Sequence, residues 1–538
     1  MKLKNFLLLM CLFAGSRIQA QYQFHRLIGG PDHERCQTAF STPDNCYFIN
    51  AATLSYGQGD VDVMLMKLDS LGQTIWDFSY GTPTYDNAEF AILTSDSSFV
   101  CVGRSNLLAG SPESAIMFRI DQAGGMIWSQ AFSGNGNNNL VRVLQTSDLG
   151  FAATGYTANS MNGDADILLV RTDSNGDTIF SRSYGTIETE AGTGIIQLPD
   201  AGFLICGRQI TFPGGIARAD GILLRTDAAG NLLWTKQYGD VQWEELTAIR
   251  QAADGGFFVV GSTTGYGAGD YDVLLMKTDS SGAVVWSKTY GGLHSDAGYD
   301  LHITSDSSLI ISGYTESLGY GHLRVAGDDS TNIFLMKTDQ TGGLIWMEVY
   351  GDGLQDEGFL CAIANDGGYL VTGFTTNYLL SDSSQMLVIK TDANGESGCH
   401  ELSVLPVDSV FSMPFIDVNY SEYSGLTITA LNLVRSSITT ANDNACLYAF
   451  SNSDHTSNDA IQVFPNPFNE FIDIFIAGSE QETVITLTDM LGRDVVSMPV
   501  VNESMRIYLP AVKPGVYLLT QQSPAGDVLI SKKVVKYD

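Results

Sequence analysis

The chain has 538 residues, with 28 basic side chains against 60 acidic ones and a formal charge of −32. That length allows two or three domains. So acidic a chain excludes a nucleic-acid partner, is repelled by anionic membrane surfaces and attracts cations.

The first twenty residues carry Lys2 and Lys4, an apolar stretch Phe6–Ala14 and then Ser16-Arg17-Ile18-Gln19-Ala20. This is the layout of a secretory signal peptide cleaved after Ala20. A lipoprotein reading of Cys11 fails, because Met10 stands where a small residue is wanted. Removing Lys2, Lys4 and Arg17 leaves 25 basic against 60 acidic residues, a charge of −35. No later apolar run is long enough to span a bilayer as a helix.

From Gln21 to residue 398 a unit of about 52 residues recurs, the period of a propeller blade. Its anchor is an aspartate, a glycine and an aromatic: Asp69/Gly72/Trp76, Asp121/Gly124/Trp128, Asp173/Gly176/Phe180, Asp227/Gly230/Trp234, Asp279/Gly282/Trp286 and Asp339/Gly342/Trp346. A seventh copy, Asp392/Gly395, has no aromatic after it. Within one unit Glu89–Thr94, Phe99–Gly103, Ala115–Ile120 and Met126–Phe132 are short β-favouring runs separated by Asp, Ser and Gly turns. Such runs are strands joined as hairpins, here called A to D. The seventh unit lacks strand D, and Gln21–Gly30 matches the strand-D segment Val284–Gly292. An all-β, seven-bladed β-propeller closed by its N-terminal strand is therefore expected over residues 21–398. Closure also hides edge strands that would template aggregation.

The A–B turns hardly vary, whereas the B–C loops run from Thr53–Gly59 to Gln209–Ala219 and Thr315–Thr331. Loops that vary on a rigid scaffold carry recognition, so the B–C loop face is the expected ligand face. Strand C carries a basic residue in every copy: Lys67, Arg119, Arg171, Arg225, Lys277, Lys337 and Lys390. The A–B turns supply Asp44, Asp96, Asp148, Asp200, Asp254, Asp306 and Asp366 on the same face. A buried charge needs such a partner, and seven copies argue for architecture. On the other face, Glu34, Asp86, Asn138, Glu190, Glu244, Asp296 and Asp356 precede strand A. The B–C loops there end in Asp60/Asp62, Asp164/Asp166 and Asp270/Asp272. One reading is Ca2+ held by these oxygens. The competing and preferred reading is aspartates capping backbone N–H groups.

After export seven cysteines remain. Cys36 with Cys46, on adjacent strands, and Cys399 with Cys446, bracketing the next segment, are the disulfide candidates of an oxidising compartment. Cys101, Cys206 and Cys361 lie in apolar strands and read as buried thiols. Residues 399–450 are β-patterned without the repeat and read as a small β-rich spacer fold packed beside the ring. Residues 451–458 are a polar linker.

From residue 459 a new module begins. Val463-Phe464-Pro465-Asn466-Pro467-Phe468, then Asp489-Met490-Leu491-Gly492-Arg493, then Lys513-Pro514-Gly515-Val516-Tyr517 and finally Lys532-Lys533-Val534-Val535 resemble the type A C-terminal sorting domain of type IX secretion cargo. The resemblance covers about 80 residues, with Pro465, Asn466, Pro467, Gly492, Gly515, Tyr517, Lys532 and Lys533 on its motifs. It implies an Ig-like β-sandwich, handling by the type IX machinery of a Bacteroidetes-type bacterium, passage through the periplasm, and a cell-surface or secreted product freed of the domain near the linker. Independently of the family, apolar runs punctuated by Pro-Asn-Pro and Pro-Gly read as a compact sandwich. The propeller unit resembles the secreted bacterial β-propeller repeat, which implies a fold and little about activity.

Seven scattered histidines, and the lack of a P-loop, nucleophile elbow or His-Glu-x-x-His sequence, give no catalytic residue. No cofactor is called for beyond the possible calcium. The leading expectation is a binding, adhesion or scaffold module that displays loops to a glycan or protein. The alternative is an extracellular polysaccharide hydrolase or lyase.

Overall fold

Each C–D turn folds as its residues dictate. Asp69 Oδ1 accepts the backbone N–H groups of Leu71 and Gln73 at 2.8 and 2.9 Å, and Gly72 takes φ +76°, a conformation costly for residues with a Cβ. Asp121, Asp173, Asp227, Asp279, Asp339 and Asp392 repeat the bonds. The Asp/Gly anchor is thus a turn lock.

The computed structural model describes residues 23–444 apart from 108–110, 159–164, 240–241, 320–329, 352–354, 377–382, 399–400, 425 and 432, together with the strands of the C-terminal module and residues 493 and 513. The signal-peptide residues lie outside this set, as does the linker.

The described residues form seven five-stranded antiparallel sheets arranged as blades. Their innermost strands are Glu34–Ser41, Asp86–Leu93, Asn138–Gln145, Thr189–Gln197, Glu244–Gln251, Asp296–Ile303 and Asp356–Ile363. These touch one another in a closed cycle, so they are the staves around the ring axis. The N-terminal strand Phe24–Gly29 pairs with Gln385–Lys390, Leu27 facing Leu387, and closes the last blade as expected.

The core lies between blades. Phe48, Val63, Leu65 and Tyr80 of the first pack against Ala91, Phe99 and Phe118 of the second. Both faces of each sheet are covered, which is why the strands read as continuous apolar runs. Tyrosines staple neighbours together: Tyr80, Tyr238, Tyr290 and Tyr350 donate to the carbonyls of Gly124, Gly282, Gly342 and Gly395 at 2.5–2.7 Å, and Tyr184 donates to Gly230.

The segment expected as a separate spacer fold beside the ring is placed differently. It is β-structured, but its strands add a fifth, outermost strand to every blade, running against the order of the ring. Glu401–Ser403 joins the sixth blade, followed by Val407–Phe411, Phe415–Asp417, Ser421–Ser424, Thr427–Ala430 and Val434–Ser437 on the fifth to the first. Ala441–Asn444 then pairs with the closing strand Phe24–Gly29. The physical reason is the exposed edge that each strand D would otherwise present. Met413, Tyr420 and Leu431 of this belt are buried against the ring.

One disulfide expectation is also corrected. Cys36 faces Ala51 in the strand pairing, whereas Cys46 faces Thr42 at the far end of the hairpin. Six residues of strand, about 20 Å, separate them, far beyond the reach of a disulfide, and both are free thiols. Cys399 and Cys446 lie outside the described residues.

The C-terminal module has a three-stranded sheet (Ile461–Phe464, Phe471–Ile476, Ser504–Tyr508) and a four-stranded one (Val484–Asp489, Asp494–Pro499, Gly515–Gln522, Val528–Lys536). Among its described residues Ile485, Leu487, Ile507, Tyr517 and Leu519 are buried apolar side chains. Gly515 and Tyr517 stand on one strand, while Lys532 and Lys533 on the next pair with Leu519 and Leu518. Pro465, Asn466, Pro467 and Gly492 lie outside the described residues.

Candidate functional site

The seven basic residues of strand C each meet the A–B turn aspartate of their own blade. Lys67–Asp44, Arg171–Asp148, Lys277–Asp254, Lys337–Asp306 and Lys390–Asp366 span 2.5–2.9 Å, and Arg119–Asp96 and Arg225–Asp200 also pair. Slight burial opposes ionisation of Asp44, but Lys67 and the Thr42 hydroxyl bring it down to about 2. One face of the ring is thereby occupied with holding its own turns.

On the opposite face, the calcium candidates are split between environments. Asp60 and Asp270 are exposed, while Asp62 and Asp272 are buried. Asp62 accepts the N–H groups of Gln58 and Gly59 at 2.7 and 3.1 Å, and Asp272 accepts those of Ala268 and Gly269 at 3.0 and 3.1 Å. Asp164 lies outside the described residues. Among the described residues none of these aspartates joins a group of three metal-ligating side chains. The acids before strand A cap in the same way: Glu34 accepts from Gly30 at 2.8 Å and Asp86 from Thr82 at 2.6 Å. These hydrogen bonds are those of the capping reading.

The caps bring acids of neighbouring blades together. Burial, then the nearby Glu190, raises Asp166 to about 7, and neither of its oxygens has a hydrogen-bond partner. Burial foremost, with Asp272 adding, raises Asp296 to about 6. Burial and neighbouring carboxyls of the same sign both disfavour the ionised form.

What breaks the sevenfold pattern is the mouth of the axis on this same face. In the sixth and seventh blades the residue bulged out of the inner strand is Tyr299 or Phe359, where the first three blades have Gln37, Glu89 and Val141. Tyr299 lies 5.8 Å from both Tyr314 and Phe359, and Phe359 lies 5.9 Å from Phe374. The Arg35 guanidinium sits 4.5 and 5.0 Å from the Phe359 and Phe374 rings and is held by Glu357 at 3.2 Å. Arg208 pairs with Glu245 at 2.6 Å. Arg104 lies between Glu113 at 3.1 Å and Glu89 at 3.6 Å, and bonds the Tyr85 hydroxyl at 3.1 Å. Burial works against the Arg104 charge, but Tyr85, Glu89 and Glu113 outweigh it and raise its pKa. Burial likewise raises the Tyr299 and Tyr314 phenols, which stay protonated. The mouth thus offers the partly exposed faces of Tyr299, Tyr314 and Phe359, backed by the buried Phe374, beside arginines fixed by glutamates. Its signal in the sequence was a departure from the repeat, since Tyr299 and Phe359 read as ordinary strand residues when taken singly.

Fold and site together define a β-propeller that carries a separate export module. Residues 462–536 match the family described as the secretion system C-terminal sorting domain, which marks the chain for the cell surface or the medium. Elsewhere, 201 residues are 24% identical to the regulatory protein FlaEY of Caulobacter vibrioides, covering 32% of this chain and 21% of that one. The chain thus spans about a fifth of the length of that relative. Among solved structures, Sqt1 from Chaetomium thermophilum aligns at a TM-score of 0.36 and 11% identity, over 70% of this chain and 99% of that one. The extracellular domain of a hybrid two-component system from B. thetaiotaomicron aligns at 0.25 and 10%, over 93% and 80%. PorZ, a surface component of the type IX secretion system of Porphyromonas gingivalis, aligns at 0.19 and 11%, over 94% and 81%. Scores this low do not bear on function.

Proposed function

We propose that the propeller is a non-enzymatic binding module, exported through its C-terminal domain, that engages a glycan or protein at the aromatic mouth on the B–C loop face. The observation that carries this reading is the Tyr299/Tyr314/Phe359/Phe374 group with Arg35 fixed by Glu357. Aromatic faces bind the apolar faces of sugar rings and side chains with little loss of side-chain entropy. Ion-paired arginines add oriented donors at small ordering cost. Of the two ligand classes this mixture favours a glycan.

Glycan arrays and surface-protein pull-downs with the mature chain test the proposal. Binding should fall at least about tenfold, roughly 1.4 kcal/mol, in Tyr299→Ala and Phe359→Ala, with melting temperatures showing that the ring persists. Capture of a protein alone, with the same loss in both variants, would reassign the ligand class. Turnover of a polysaccharide without stable binding would replace the module by a hydrolase or lyase.

A further inference from the structure

Deeper along the axis the ring departs from its repeat a second time. Asp300 and His302 stand two residues apart on the inner strand Asp296–Ile303, and Cys361 stands on the neighbouring inner strand Asp356–Ile363. Strand register aligns Asp300 with Phe90, Ala248 and Leu360 but also with Thr38 and Arg142, His302 with Ile92 and Leu144 but also with Arg250, and Cys361 with Ala39 and Val143. Three side chains with metal-ligating atoms therefore fall together at positions that most other blades fill with apolar residues, Thr38, Arg142 and Arg250 being the polar exceptions.

One carboxylate oxygen, one imidazole nitrogen and the thiol sulfur all lie within 4.8 Å of one another. Ligands of a tetrahedral zinc ion, with bonds of about 2.0–2.3 Å, sit roughly 3.3–3.8 Å apart, so small rotations close the group around a metal. Asp300 and Cys361 are buried, at 4% and 3% exposure, while His302 keeps a partly open face toward the axis. Ser312, opposite Asp300 in the pairing, is fully buried and its hydroxyl lacks a well-formed hydrogen bond. The basic groups facing Asp300 are His302, Arg250 and Arg142, with Arg250 3.3 Å from the carboxylate and 3.5 Å from His302 Nε2. His302 Nε2 also lies 3.1 Å from the second carboxylate oxygen.

We propose that Asp300, His302 and Cys361 bind a divalent ion of the zinc class, borderline in softness and suited to one oxygen, one nitrogen and one sulfur donor. The thiol gives its proton to solvent as the sulfur–metal bond forms, and the Arg250 guanidinium turns away from the carboxylate. A fourth position remains for water or the Ser312 hydroxyl.

Co2+ and Zn2+ added to the metal-free mature chain provide the test. The expected result is about one ion per chain retained through dialysis, with a thiolate-to-cobalt charge-transfer band in the near ultraviolet. Cys361→Ser should abolish that band and weaken binding at least about tenfold, and Arg250→Gln should tighten it by removing one of the two competing guanidinium groups. Retained metal with no thiolate band, or equal retention in wild type and Cys361→Ser, would overturn the assignment. The ligands are distinct from the aromatic mouth, so this site and the binding reading fail separately.

Discussion

Tyr238 passes its hydroxyl to the Gly282 carbonyl of the next blade at 2.6 Å while its ring is fully buried. Four other blades make the same bond, but the second ends in Phe132 and has no hydroxyl to offer. Tyr238→Phe should therefore cost about 1 kcal/mol, the worth of one buried hydrogen bond whose acceptor is left unpaired. Phe132→Tyr should gain up to about the same amount if the ring reaches the Gly176 carbonyl, and denaturant melts of both variants check the pair. A different residue-scale effect comes from the carboxyls lifted by burial and by one another. Asp166 and Asp296 have folded-state values of about 7 and 6, well above the ordinary aspartate value. Their contribution is thus complete below about pH 4 and is lost as pH rises through 6 and 7. Asp44, held near 2, runs the other way, and its contribution is lost as pH falls below about 4 toward 2. The ring should melt higher at pH 5 than at pH 8, and Asp166→Asn should narrow that gap by raising the value at pH 8. A melting temperature that climbs steadily from pH 5 to pH 8 would contradict the buried-acid account.

Among the strands, those legible in the sequence were those written several times. The four-strand unit, the orphan strand Phe24–Gly29 and the Lys/Arg–Asp bridges each appear in copies, so an accidental pattern in one blade is corrected by the others. The belt has no such redundancy. Its strands are three to five residues long, and each finds its partner on an edge far away in sequence, so nothing local announces the pairing. The proposed Cys36–Cys46 bridge failed for a related reason: two strands can be neighbours while register keeps two of their residues at opposite ends. The mouth lay hidden because Tyr299 and Phe359 satisfy the strand pattern as well as any residue in their places. The belt has a measurable consequence. A chain ending at residue 398 retains every four-stranded blade but leaves seven open edges and strips the cover from Phe24–Gly29. It should be less stable and aggregate, whereas a chain ending at 450 should stay monodisperse in size-exclusion chromatography. Equal behaviour of the two would show the belt to be ornamental.

At the scale of the whole molecule, ring and export module are separable. The seven blades use strands only from residues 24–444, and both sheets of the C-terminal module use strands only from residues 461–536. Among the described residues neither unit lends the other a strand, and the linker sequence between them is polar, so each buries its own core. The sorting domain is the part that the export machinery handles. Deleting residues 459–538 should therefore leave a propeller with an unchanged melting temperature that accumulates in the periplasm. Cell fractionation combined with a thermal melt of the recovered protein separates the alternatives. Truncated protein that still reaches the surface or the medium would mean that export depends on the ring. A periplasmic protein that has lost its melt would mean instead that the module stabilises the propeller, against the strand accounting given by the two sets of sheets.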